Sequence, residues 1–167
     1  MTHYLQNELG IWELETSPIG LRRLQLRQDL TILPPVHATR LRQESEWSER
    51  VIVQLSEYFD GSRKTFSIPF DWSDHSEFHQ RVWRALLDIP YGRTTTYSRI
   101  SEIIGNPKAV RAVGMANRAN PIAILVPCHR VIAKSGKLQG YFYGLEVKRR
   151  LLQLENPHSF ATQTSLW

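Results

Sequence analysis

The stretch from Ile122 to Val131 constrains this chain more than any other. Five apolar residues run into Pro127, and the only cysteine, Cys128, follows with His129 and Arg130 behind it. Proline donates nothing to a β-ladder and sits at strand ends and edges, so the run predicts a buried strand that stops at the thiol. That would present a thiol at the end of a rigid element, with an imidazole and a guanidinium beside it. Thiols attack as thiolates, and nearby positive charge lowers their pKa from a free value of about 8.5. A lone cysteine is also commonly an inert small hydrophobe in a core. The charged neighbours weigh against that reading, because core segments rarely run straight into His-Arg.

Charge divides the chain in two. Residues 1–75 hold 8 Lys/Arg against 11 Asp/Glu, net −3, while residues 76–155 hold 13 against 5, net +8. The imbalance suggests an N-terminal scaffold and linker over 1–75 and a C-terminal module over 76–155. A polar tail, 156–167, is expected to be mobile. The basic module is a candidate for binding a polyanion, although a solvated basic face with no partner has the same composition. Apolar residues make up 41% of the chain, enough for a packed core. No apolar run reaches the roughly eighteen residues of a membrane span, and no signal-peptide pattern opens the chain. One cysteine cannot form an internal disulfide, which fits a reducing compartment.

Ile11 to Thr16 and Leu21 to Arg27 read as two strands around the turn Ser17-Pro18-Ile19-Gly20. Leu30 to Leu33 is a candidate third strand, stopped by Pro34-Pro35. Trp47, Val51, Leu55 and Tyr58 recur at helical spacing, which predicts a helix over 46–59 closed by Gly61. Arg63 to Asp74 reads as an extended linker. His3, His37, His75 and His79 show no metal-type spacing and read as surface residues, so no metal site is expected.

In the basic module, Phe78, Val82, Ala85, Leu86 and Ile89 mark one amphipathic helix, ended by Pro90-Tyr91-Gly92. Thr94-Thr95-Thr96 offers N-caps for a second helix through Ile104, which Gly105 breaks. Asn106-Pro107 restarts the chain as a third helix to Arg118, an N-cap followed by proline at the first helical position. Helix, short turn, helix is the helix-turn-helix pattern, which many packed pairs share without binding anything. Ala109, Ala112, Gly114, Ala116 and Ala119 leave the second helix of that pair thin, and Lys108, Arg111 and Arg118 leave it basic. Few of its side chains suit base reading, so it reads either as a shape-reading helix along a minor groove or as a closely packed internal helix. Lys134-Ser135-Gly136-Lys137 is a basic turn, and Gly140 to Gly144 encloses Tyr141, Phe142 and Tyr143, which suit base stacking or a core equally. The last helix, Leu145 to Glu155, puts Glu155 on the face of Leu151 and Leu152. An inward carboxylate needs a partner, and His129 or an arginine could supply it. Cysteine, histidine and carboxylate together make an activated nucleophile.

Pro127-Cys128-His129-Arg130-Val131 resembles the acceptor motif of the O6-alkylguanine-DNA alkyltransferases. Phe78 to Ile104, Asn106 to Asn120 and Gly140 to Glu155 resemble the same family's C-terminal domain, and the 46–59 helix and the Ser17–Gly20 turn resemble its N-terminal domain more weakly. The resemblance implies an α+β chain: a small ribonuclease H-like N-terminal α/β domain and a mainly helical domain with a winged helix-turn-helix-like motif. It implies a suicidal repair protein in which Cys128 takes the alkyl group from O6 of a flipped-out guanine, with O4-methylthymine as a second lesion. By the same resemblance, His129 deprotonates Cys128 through a water, Glu155 orients His129, and Asn120 supports the turn into the active-site segment. Tyr97 aids rotation of the nucleotide and proton delivery, and Arg111 fills the gap in the stack. Ser98, Asn106, Lys108, Arg118 and Lys134 match DNA-contact positions, and Val131, Tyr141, Phe142 and Tyr143 would line the pocket. Phe142 and Tyr143 stand where many relatives carry small residues, so methyl should be preferred over benzyl. No cofactor is expected. The partner is double-stranded DNA with alkylated bases, met by a monomer without an obligate protein partner in the cytoplasm, or in the nucleus of a eukaryote.

Three other readings compete. A lesion binder would lack the acceptor cysteine. A helix-turn-helix regulator would bind undamaged DNA by sequence, against the alanine-rich helix. A Cys-His hydrolase would need turnover and an oxyanion hole.

Overall fold

In a computed structural model of the chain, residues 2–27 and 46–158 are described. The expected strand at Leu30 to Leu33, His37 and the end of the tail lie outside them. Two compact units divide the chain, Met1–Trp72 and Ser73–Trp167. The described elements are mixed α/β, with small sheets and five α-helices.

The first unit is built on alternation. β1 (Thr2–Asn7), β2 (Gly10–Thr16) and β3 (Leu21–Arg27) form an antiparallel sheet in that order. Trp12, Leu14, Leu21 and Leu24 are fully buried with Val51, Leu55 and Tyr58 of α1 (Glu46–Phe59). Each such buried aliphatic contributes roughly 1.5–3 kcal/mol. β1 does not stand out in the sequence, because it alternates exposed with half-buried residues and carries few apolar side chains. The 63–74 segment is extended as expected, but it is bound rather than free. Leu21 N–H donates to Pro69 O and Asp71 N–H to Leu21 O, and Ile68, Asp71 and Trp72 are buried. Gly20 makes this possible, since a Cβ there would lie 2.2 Å from Pro69 O.

The second unit starts at Ser76, whose hydroxyl accepts from His79 N–H and caps α2 (Glu77–Leu87). His75 and His79 are half-buried, with their rings against Trp83, and so are not simple surface residues. Thr96 caps α3 (Tyr97–Ile103) by accepting from Arg99 N–H, and Gly105 breaks it at φ +75°. The following helix starts later than its sequence suggests. Asn106 and Pro107 form a turn closed by Ala109 N–H to Asn106 O, and α4 runs over Val110–Arg118. Trp83 ties α2 to α4 by donating Nε1–H to Ala116 O at 2.8 Å. A two-residue parallel ladder joins β4 (Thr95–Thr96) to β5 (Val131–Ile132), and α5 covers Leu145–Glu155 as expected. Asn156 caps α5 by donating its N–H to Leu152 O, so the tail segment begins anchored.

The expected strand over 122–126 is absent. All five residues are at most 4% exposed, but the chain is folded in turns and Ile124 takes φ +70°. Buried backbone groups need partners whether or not a strand forms. Here Val126 N–H bonds to Ile122 O and Leu125 N–H to Ala123 O, and the Asn120 side chain serves Ile122 N–H, Ile122 O and Val126 O.

Candidate active site

Asn120 anchors the loop that carries Cys128. Its Oδ1 accepts from Ile122 N–H at 3.0 Å, which leaves Nδ2 facing Ile122 O at 3.2 Å, Val126 O at 2.8 Å and the Cys128 sulfur at 3.1 Å. Three acceptors around one nitrogen assign the amide orientation. Pro127, at φ −80° and ψ 60°, sits at the centre of an inverse γ-turn closed by Cys128 N–H to Val126 O. Its ring sets the φ this turn needs. Cys128, His129 and Arg130 then form a single 3-10 turn, with Arg130 N–H on Pro127 O. From α4, Asn117 donates Nδ2–H to Cys128 O at 3.4 Å.

The turn sends three side chains into buried positions. His129 Nε2 lies 2.7 Å from Glu155 Oε1. Arg130 donates Nε–H to Glu155 Oε2 at 2.9 Å, Nη2–H to Oε1 at 3.0 Å, and Nη1–H to Ile89 O at 2.6 Å. Gly92 N–H adds a donor to Oε2. Burial alone would raise the Glu155 pKa, but hydrogen bonds and charge from His129 and Arg130 win and hold it well below the usual carboxylate range. Burial pushes the His129 pKa down, with Arg130 and Lys148 assisting and Glu155 opposing. Arg130 neutralises Glu155, so the imidazole stays neutral and donates Nε2–H to it. The other nitrogen, Nδ1, is buried and has no hydrogen-bond partner in the protein. It is therefore a lone pair available to a proton.

Burial also raises the Cys128 pKa, while Asn120, the Lys148 ammonium, the local backbone and the Tyr141 hydroxyl lower it less. At rest the thiol is protonated, so its reactivity depends on a base. Lys148 is fully buried on α5, donating to Val131 O at 2.6 Å and Gln139 O at 2.8 Å. Burial lowers its pKa to about 8, against the opposing charge of Cys128. Its charge should therefore favour the thiolate near neutrality and fade above that pH. Replacing Lys148 by Met is expected to move the pH profile of Cys128 alkylation by iodoacetamide to higher pH, with folding checked by circular dichroism. An unchanged profile would show that Lys148 does not act on the thiol.

The structure brings Cys128, Asn120, His129 and Glu155 together, and Tyr97 is close enough that Cys128 acts with burial to raise its pKa. Tyr97 donates its hydroxyl to Gln139 O at 3.3 Å, beside Gly140. Val131, Tyr141 and Tyr143 are buried, the two tyrosine rings edge-on at 5.6 Å, whereas Phe142 is 52% exposed. Arg111, Asn106, Lys108, Arg118 and Lys134 are all exposed, and half-buried Ser98 shares a hydroxyl hydrogen bond with Thr96. None of these last six is tied to the thiol by a hydrogen bond. Lys148 and Asn117 are not marked in the sequence, and the arginine offered there as a partner of Glu155 is Arg130. Lys148 could have been found, since it precedes Leu151 and Leu152 by three and four residues and so shares their apolar face.

The family model of the 6-O-methylguanine DNA methyltransferase DNA binding domain matches residues 77–157. The methylated-DNA–protein-cysteine methyltransferase of Mycolicibacterium paratuberculosis is 50% identical over 155 residues, covering 89% of this chain and 93% of that protein. That of Methanosarcina acetivorans is 56% identical over 102 residues, covering 61% of this chain and 65% of its own. Among solved structures, Mycobacterium tuberculosis OGT in complex with DNA superposes with TM-score 0.78 at 39% identity, over 92% of this chain and 91% of that one. The Mycobacterium tuberculosis O6-methylguanine methyltransferase gives TM-score 0.77 at 41% identity over 98% of each chain.

Proposed function

The chain belongs to the methylated-DNA–protein-cysteine methyltransferase family, and we propose from that premise that it repairs DNA by moving a methyl group from O6 of guanine to its own Cys128. The observation that carries this reading is the buried relay of Arg130, Glu155 and His129 beside a protonated thiol held by Asn120. In the relatives' names the acceptor is a protein cysteine, and this chain has one cysteine.

The chemistry follows from the charges. His129 Nδ1 takes the thiol proton through a water, and Glu155 stabilises the imidazolium that results. The sulfur attacks the methyl carbon in line, forming the C–S bond as the C–O6 bond breaks. Guanine leaves with a proton delivered through Tyr97, and the His129 proton restores the balance. Cys–SH and O6-methylguanine thus give Cys–S–CH3 and guanine with no third reactant. A thioether has no ready leaving path, so each molecule acts once.

The methyl at O6 lies inside the duplex, so the nucleotide must leave the stack at a cost of a few kcal/mol. In this reading α4 lies in the minor groove, Arg111 occupies the vacated slot, and Ser98, Asn106, Lys108, Arg118 and Lys134 hold the backbone. Residues 76–155 are the DNA-binding and acceptor domain, with α3 and α4 as a winged helix-turn-helix-like motif, and residues 1–75 are a ribonuclease H-like scaffold. No described helix is long and apolar enough to cross a membrane.

The test is intact and peptide mass spectrometry after incubation with duplex DNA carrying O6-methylguanine. Wild type should gain one methyl group on the Cys128 peptide, and Cys128→Ala should gain none. Lesion binding with unchanged mass would instead make this a recognition protein. Phe142 is 52% exposed, so of the two bulky residues expected to limit the pocket only Tyr143 is buried; in this reading it lines the alkyl pocket with Tyr141, and a benzyl adduct should transfer more slowly than methyl. Equal rates would remove those rings as the pocket's limit.

A further inference from the structure

We propose that Met115 is a second, apolar wedge that works beside Arg111 against DNA, propping the base step next to the flipped nucleotide. The proposal rests on the methyl-transfer reading above.

Met115 is 72% exposed, the highest value among the large apolar side chains of the described residues. Val110, on the same wall, is 36% exposed. Together with Arg111, Gly114, Arg118 and Tyr97 they line a groove of about 570 Å³. A large apolar side chain set in water between arginines is a mark of an interaction surface. The arginines select a polyanion as the occupant, and the apolar wall between them suits the C–H edges of sugars and bases. DNA offers both, the phosphates to Arg118 and the groove floor to Met115, with Arg111 left for the vacated slot.

Spacing gives the role. Met115 follows Arg111 by four residues, so it stands one turn further along the same helix face. That displacement is about 6 Å along the axis. Base pairs repeat every ~3.4 Å along a strand. With Arg111 in the vacated slot, Met115 therefore reaches the neighbouring step or the one beyond. Methionine is unbranched and flexible, and it is among the apolar side chains that minor-groove proteins insert between steps. Gly114 and Ala112 beside it carry too little bulk to block that approach. Lys108 and Arg118 can hold the phosphates, but neither presents an apolar end to the step.

The experiment compares methyl transfer from O6-methylguanine in duplex and in single-stranded oligonucleotides of the same sequence, for wild type, Met115→Ala, Met115→Leu and Met115→Gln. The side chain is exposed, so these variants should fold, which thermal melting checks. Propping a step matters only where the lesion starts stacked in a duplex. The duplex-to-single-strand rate ratio should fall on the order of fivefold for the Ala and Gln variants, given the few kcal/mol at stake in unstacking a step. The Leu variant should stay near wild type, because it keeps an apolar end of similar reach. An unchanged ratio in the Ala variant, or a Leu variant as impaired as Gln, would overturn the proposal while the wild-type reaction still stands. Absence of methyl transfer by wild type itself would instead remove the reading on which the proposal rests.

Discussion

Glu155→Gln is expected to destabilise the protein by about 3–5 kcal/mol, the usual cost of breaking a buried ion pair from one side. It is also expected to slow methyl transfer on the order of 10²–10⁴-fold, the range of a general base that has lost its support. The two losses have different causes. Stability falls because the Arg130 guanidinium stays buried while its partner loses its charge and one of its two acceptor oxygens. Rate falls because the neutral amide no longer stabilises positive charge on His129. A double variant, Glu155→Gln with Arg130→Met, removes the stranded charge. It should recover part of the stability and none of the rate. Urea denaturation and single-turnover transfer assays separate the two, and recovery of rate in the double variant would show that Glu155 acts only on folding.

The same pair gives an acid signature. Glu155 has a depressed folded-state pKa, so its stabilisation is present above an unfolded-state value of about 4.3 and is lost as pH falls below it. His129 is held neutral, so the unfolded chain binds more protons than the folded one below about 6.5, and stability falls through that window as well. Glu155→Gln should flatten the lower part of the acid limb and leave the upper part to His129.

Periodicity marks an element where one of its faces is dry and the other wet. α1 and α5 match their expected bounds because Val51, Leu55 and Tyr58, and Leu151, Leu152 and Glu155, recur on one side. Periodicity fails at 122–126, where every side is dry. A buried run carries no period, and nothing in Ile-Ala-Ile-Leu-Val separates a strand from a folded loop. What decides the matter is Asn120, whose amide satisfies backbone groups that a neighbouring strand would otherwise serve. The helix over 110–118 begins late for a related reason. Asn-Pro at 106–107 is as good a turn as a helix start, and the bond from Ala109 N–H to Asn106 O takes the turn. The relay was half legible. The inward face of Glu155 could be read from helical spacing, but the choice between His129 and an arginine could not, and the structure uses both.

Asn120→Asp is the sharpest test of that loop, because it changes charge and donors while keeping shape. The acceptor role survives, since a carboxylate oxygen can still take the Ile122 N–H. The donor role does not. The second oxygen would face Ile122 O at 3.2 Å and Val126 O at 2.8 Å, which have no proton to give, and the Cys128 sulfur at 3.1 Å, whose thiol proton it would only hold in place. Leaving such groups unpaired costs roughly 1–3 kcal/mol each, and more when one is charged. The carboxyl therefore either picks up a proton or springs the turn that carries Ile124 at φ +70°, an uncommon conformation for a β-branched residue. An ionised carboxylate there would raise the thiol pKa further and repel the thiolate. Methyl transfer at neutral pH should fall on the order of 10²-fold or more, given ~1.4 kcal/mol per tenfold. Lowering the pH should recover folding, as the protonated carboxyl regains a donor, but not rate, because the thiolate is then scarcer. Thermal melts and transfer rates across pH read the two separately. A variant that transfers methyl at the wild-type rate at neutral pH would mean that the contact between Asn120 and Cys128 contributes nothing to the reactivity of the thiol.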